Sequence, residues 1–160
     1  MSTKITTVCI IVLLSSGCQS PSSEPNLNET IAWMQNALAR HNGQRLDSKL
    51  SKEVKLVNKL TAEQCQFTYE LSNFEIVRYD VTDIDTKTIK TEKIGEASWV
   101  TFKTRDFHHS VRYEHPQDKD KLVYDSESGG FSLDSEEVAA AFAKALARAV
   151  ALCGGKPSTF

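Results

Sequence analysis

Residues 134–155 read DSEEVAAAFAKALARAVALCGG. Val138, Phe142, Ala145, Leu146, Ala149, Val150 and Cys153 recur at helical spacing and form one apolar stripe, with Glu137, Lys144 and Arg148 opposite. Eight alanines between Ala139 and Ala151 favour helix and allow close packing. Asp134 is the expected N-cap, with Glu137 three residues on, and Gly154-Gly155 ends the helix. The polar face holds few cations, so packing on a sheet is expected rather than a place at a membrane surface.

The sheet lies upstream. Cys65, Phe67, Tyr69 and Leu71 alternate with Gln66, Thr68 and Glu70, the two-residue period of a half-buried strand. Further strands are expected at 54–59, 74–80, 86–93, 97–104, 106–114 and 121–125, although a helix through Leu50, Val54 and Val57 is an alternative at the first of these. Polar turns separate them at intervals of about 8–12 residues, which favours an antiparallel meander over parallel units. His115-Pro116-Gln117-Asp118 and residues 126–130 are the strongest breaks. A shorter helix is expected to begin with Asn28 as cap. It continues through Ile31, Met34, Ala37, Leu38 and His41, and stops at Gly43. The fold class is therefore α+β: an antiparallel sheet of about six or seven strands, curled towards a partial barrel, with an N-terminal and a C-terminal helix. A sheet closed by one helix resembles pleckstrin-homology-like barrels, a likeness of fold that carries no function.

The chain has 160 residues, 40% of them hydrophobic and 25% charged, which suits one globular domain. A net charge of −2 argues against a basic nucleic-acid surface, and no nucleic-acid partner is expected. The average hides an unusual start, MSTKITTVCIIVLLSSGCQS over residues 1–20. Lys4 precedes an apolar run from Ile5 to Leu14, too short for a spanning helix and suited to the core of a signal peptide.

Ser15-Ser16-Gly17-Cys18 resembles the lipobox of bacterial lipoprotein precursors, with Ser15 where that family prefers Leu and Leu14 one position earlier. The resemblance implies cleavage before Cys18 and a diacylglycerol on its thiol. Gln19 in place of the Asp used for inner-membrane retention implies the outer membrane, facing the periplasm. The expected divisions are a signal peptide at 1–17, a lipidated tether at 18–26, one α+β domain at 27–154 and a tail at 155–160. Gln19 to Asn26 are rich in Ser and Pro and suit a flexible tether. Leu152-Cys153-Gly154-Gly155-Lys156 resembles the end of some uncharacterised small bacterial domains, a likeness that carries no activity.

With Cys9 in the signal and Cys18 at the lipid site, Cys65 and Cys153 remain. Both are expected to point towards the core, one from a strand and one from the last helix. A disulfide is the favoured reading in an exported chain, and two separate buried thiols are the alternative.

Other candidate chemistry is thin. His109 and His115 share a strand face, His108 points away, and six residues of strand separate His109 from His115 by about 20 Å, too far for one metal. Asp80, Asp83 and Asp85, then Asp118, Asp120, Asp125 and Glu127, lack the order of a calcium loop and suit solvated turns. Ser128-Gly129-Gly130 lacks a nucleophile elbow and suits a turn. Residues 87–93 (KTIKTEK) suit a strand edge guarded by lysine. No catalytic set, metal or cofactor is expected. The function expected is that of a non-enzymatic envelope lipoprotein that binds an envelope protein or a small ligand. Its alternative is a small-ligand carrier with a pocket between sheet and last helix, lined by Trp99, Phe102, Phe107 or Tyr113; a hydrolase or metal enzyme comes last.

Overall fold

Asn26 starts the first helix, α1 (Leu27–Arg40), two residues earlier than expected. Its Oδ1 accepts from the Glu29 N–H at 3.1 Å, and the Glu29 carboxylate accepts from the Asn26 N–H at 2.9 Å. This reciprocal capping box satisfies two backbone donors that an Asn28 cap would leave open. The computed structural model describes residues 24–40, 58–72, 75–95, 97–116 and 122–156. Lys4, Cys9, Cys18, His41, Gly43, Asp118 and Asp120 lie outside the described residues.

Among the described residues eight strands follow α1: β1 (Asn58–Glu63), β2 (Gln66–Leu71), β3 (Glu75–Asp80), β4 (Lys90–Ile94), β5 (Ala97–Lys103), β6 (Val111–Glu114), β7 (Val123–Ser126) and β8 (Ser128–Leu133). Helix α2 (Glu136–Leu152) closes the fold. The class is α+β with antiparallel pairing throughout, but the strands divide into two sheets, and neither closes into a barrel. One holds five strands in the order β1-β2-β3-β6-β7; the other holds three in the order β4-β5-β8. The β4–β5 hairpin leaves the first sheet, the chain returns at β6 to pair with β3, and β8 crosses back to β5.

The two sheets share one core. Tyr69 of β2 lies 5.0 Å from Phe131 of β8, Tyr79 of β3 lies 5.1 Å from Phe102 of β5, and Phe131 lies 4.8 Å from Phe142 of α2, all between ring centroids. Such tilted pairs add a little to the burial of large apolar surfaces. The α2 stripe supplies Ala139, Phe142, Leu146, Ala149 and Val150, all fully buried, and α1 supplies Met34, Ala37 and Leu38.

Several boundaries differ from the expectations for local reasons. Ser135, not Asp134, caps α2, its Oγ accepting from the Val138 N–H at 3.2 Å. Residues 86–93 are not one strand, because Asp85 accepts from the Lys87 N–H and starts a 3-10 turn over Thr86–Thr88. Residues 106–114 break likewise: Asp106 and Phe107 have φ of 54° and 55°, and the Thr104 hydroxyl donates to the His108 carbonyl. Regular strand resumes only at Val111. The expected turn at 126–130 is largely strand, with a bend at Glu127 between β7 and β8. Of the strand expected at 54–59, Asn58 and Lys59 belong to β1, which continues to Glu63, while residues 54–57 and the alternative helix through Leu50, Val54 and Val57 lie outside the described residues.

Cys65, in the β1–β2 turn, and Cys153, at the C-cap of α2, lie at disulfide distance with Cα atoms 5.9 Å apart. Beyond Cys153 the chain turns at Gly154, whose φ of +82° suits glycine. No helix among the described residues is long and apolar enough to cross a membrane.

Candidate ligand-binding groove

Strand β5 places its side chains by parity. Ser98, Val100 and Phe102 are buried, whereas Trp99 and Thr101 are half-buried and Lys103 is exposed. Register then sets their neighbours on that second face. Trp99 pairs with Glu92 of β4, and Thr101 pairs with Lys90 of β4 and Gly130 of β8. Together with Ser128, these residues line an open groove of about 610 Å³ that reaches Tyr113 of β6. That volume falls in the range of about 300–1,000 Å³ common for ligand sites.

Of the four aromatic residues expected at a pocket, Trp99 and Tyr113 line this groove, whereas Phe102 is a core residue that borders it only where its ring lies against Gly129. Phe107 does not line it; the ring is 63% exposed and sits beneath the Lys103 ammonium, 5.3 Å from Nζ to centroid. The cation–π contact holds Lys103 at the groove rim. The groove also lies on the opposite side of the sheet from the expected pocket. Between sheet and α2, the space is filled by Val100, Phe102, Phe131, Phe142 and Leu146.

Hydrogen bonds order the groove walls. Glu92 accepts from the Lys90 ammonium at 3.1 Å and the Thr101 hydroxyl at 3.0 Å, and these two donors, Lys90 first, hold its carboxyl below the usual carboxylate range. Lys103 pairs with Glu127 at 3.4 Å. Tyr113 donates its hydroxyl to the Ser128 carbonyl at 3.0 Å, linking the two sheets, and burial pushes its phenol pKa upward. Chemically, the groove offers an aromatic wall, hydroxyls and ammonium groups to a ligand.

The titratable clusters take local roles. Asp80 accepts from the Thr82 N–H and hydroxyl, and Asp85 from the Lys87 N–H. Asp83 pairs with Arg105 at 3.9 Å. His109 Nδ1 lies 3.3 Å from the Asp125 carbonyl, while His115 stacks on Tyr124 at 5.8 Å; His108 is exposed. Among the described residues no three His, Cys, Asp or Glu side chains are grouped to hold a metal.

A second groove, about 580 Å³, runs along the outer seam of α1 and α2 past Trp33, Ala141, Ala145 and Arg148. Sequence reasoning missed Trp33. Its signal was an aromatic residue out of phase with the Met34–Leu38 stripe, and it is 40% exposed. Arg148 there donates to the Pro25 carbonyl at 3.4 Å and pairs with Glu24, fixing the segment before α1 to α2. Comparison of the chain with protein-family models, curated proteins and solved structures returns no match.

Proposed function

We propose that the chain is a cell-envelope lipoprotein, anchored through Cys18 to the outer membrane and facing the periplasm, whose domain is a non-enzymatic binding module. The observation that carries the binding role is the groove on the outward face of β4, β5 and β8, where Trp99, Thr101 and Lys103 stand clear of the core. The anchor rests on the lipobox resemblance at Ser15-Ser16-Gly17-Cys18. Two or more acyl chains bind bilayers firmly, because each buried methylene contributes about 0.8 kcal/mol. The domain itself then needs no apolar membrane-facing surface.

Growth of the producing cells with labelled glycerol and palmitate tests the anchor. Label should enter the chain and vanish in Cys18→Ser; an unlabelled wild-type chain contradicts it. Hydrogen exchange of the full chain, with and without fractionated envelope extract, tests the binding role. Protection should rise at residues 90–103 and 128–130. Extract that protects only the α1–α2 seam contradicts the assignment of the groove.

A further inference from the structure

We propose that the β4–β5–β8 groove recognises an acidic polysaccharide, with sugar rings against Trp99 and carboxylates on Lys90 and Lys103. The inference deepens the binding-module reading above and rests on it.

Charge is the first argument. Three lysines, Lys87, Lys90 and Lys103, line the groove against one glutamate, Glu92. The whole chain is net acidic, at −2, so this local excess of cations is not a reflection of average composition. Lys90 and Lys103 are held by surface ion pairs with Glu92 and Glu127. Exposed pairs of this kind contribute about 0–1 kcal/mol, so an incoming carboxylate can take over either ammonium at little cost.

The floor argues for a sugar over a peptide. A peptide that adds to a sheet needs unpaired backbone groups at an edge. Here Trp99, Thr101 and Lys103 stand on the side-chain face of β5, the central strand, whose backbone is paired on both sides, and the edge strands β4 and β8 bound the groove on either side. What the floor presents instead is the Thr101 and Ser128 hydroxyls beside a glycine. A Cβ at Gly130 would lie 3.2 Å from Thr101 Cγ2 and 3.6 Å from Trp99 Cε3, so the Trp99 side chain leans over the place where a side chain would stand. The result is a shallow trough with one large aromatic wall. Sugar rings match it: their C–H faces pack on an indole, their hydroxyls exchange hydrogen bonds with Thr and Ser, and uronic acids carry carboxylates for lysine.

Lysine also fits a polymer. An ammonium is a point charge on a long flexible stem and does not impose the two-point geometry of arginine. Phe107 holds one ammonium, that of Lys103, over its ring, while Glu92 holds the other, that of Lys90. Ammonium groups held this way but still solvated suit repeated weak contacts along a chain better than one buried small anion.

Equilibrium titration of the full chain in detergent micelles provides the test, with polygalacturonate as the probe. Neutral dextran, poly-L-glutamate and single-stranded oligothymidylate serve as comparators. Polygalacturonate should bind saturably and at least about tenfold more tightly than each comparator. Trp99→Ala, and separately the double variant Lys90→Gln/Lys103→Gln, should each weaken binding by about tenfold or more with melting temperature retained. Trp99→Phe should keep part of the affinity and guards against loss of fold. Equal binding of dextran overturns the role of charge, and equal or tighter binding of polyglutamate or oligothymidylate overturns the sugar. Undiminished affinity in both variants overturns the groove. If polygalacturonate fails to bind while envelope extract still protects residues 90–103 from exchange, the ligand class falls and the binding-module reading stands.

Discussion

The Phe102 ring lies directly over Gly129, its cross-strand partner, so closely that a Cβ on Gly129 would stand 2.6 Å from the ring Cζ. This relationship explains why glycine occupies a strand, where it is ordinarily unfavourable. The empty position lets Phe102 lie within the aromatic cluster with Tyr79 and Phe131. Gly129→Ala should lower unfolding free energy by about 1–3 kcal/mol through overpacking. Denaturant titration checks this, and Phe102→Leu should recover part of the loss in the double variant because the two sites share one volume.

The Cys65–Cys153 pair spans 88 residues of chain and ties the β1–β2 turn to the end of α2. Closing a loop of that length restricts the unfolded ensemble, by about 4–5 kcal/mol as an upper bound. Reductant should therefore lower the melting temperature of the wild-type chain and leave that of Cys65→Ser/Cys153→Ser unchanged. A wild-type melting curve insensitive to reductant would mean that the bridge does not form.

Tyr79 is buried, and its hydroxyl has no hydrogen-bond partner among the described residues. Burial among Phe67, Phe102 and Phe131 drives its phenol pKa well upward. An unsatisfied buried hydroxyl costs about 1–3 kcal/mol. Tyr79→Phe keeps the ring and removes that group, so it should raise stability by about 1 kcal/mol in urea titration, where most core changes lower it.

Glu75, at the start of β3, is held above the usual carboxylate range by burial, with His115 opposing the shift. Its negative charge faces Tyr69, Tyr113 and Tyr124, whose phenol pKa values it helps to raise. A carboxyl raised in the folded state binds its proton more tightly there than in the unfolded chain. Its contribution is thus present at acid pH and is lost as pH rises through the folded value. Glu75→Gln should melt about 1–3 °C above wild type at pH 7 and coincide with it near pH 3.5. A gain that persists in acid would assign the effect to something other than ionisation.

What could be read from the chain alone was what local periodicity encodes. The alternation of Phe67 and Tyr69 and the stripe from Val138 to Val150 gave one strand and one helix nearly to their ends. The pairing of Cys65 with Cys153 was legible from the cysteine count, but not its place, since Cys65 stands in the β1–β2 turn rather than on a strand face and Cys153 at the C-cap of α2. The second sheet was not legible, because β8 depends on a contact between Gly129 and Phe102, 27 positions apart in the numbering, while Gly129-Gly130 by itself reads as a turn. Asn26 was hidden for a related reason, since its pairing with Glu29 competes with an equally plausible cap at Asn28. At the groove, Trp99 and Tyr113 could be named as aromatic candidates, but their joining with Lys90 and Gly130 required the β4–β5 and β5–β8 registers. Phe107 was misplaced because two positive φ angles turn it off the strand and under Lys103.

The central claim is that the outward face of β5 is occupied in the cell envelope. A cysteine placed there reports this directly, since Cys65 is bridged to Cys153 and Cys18 is proposed to carry lipid. Thr101→Cys should react with a membrane-impermeant maleimide, admitted through a permeabilised outer membrane, at least about tenfold more slowly in cells than in the purified chain. Ala140→Cys, on the exposed side of α2, should react at similar rates in both settings. Equal rates for Thr101→Cys in cells and in isolation would contradict the account, because the face would then be empty where it is proposed to work.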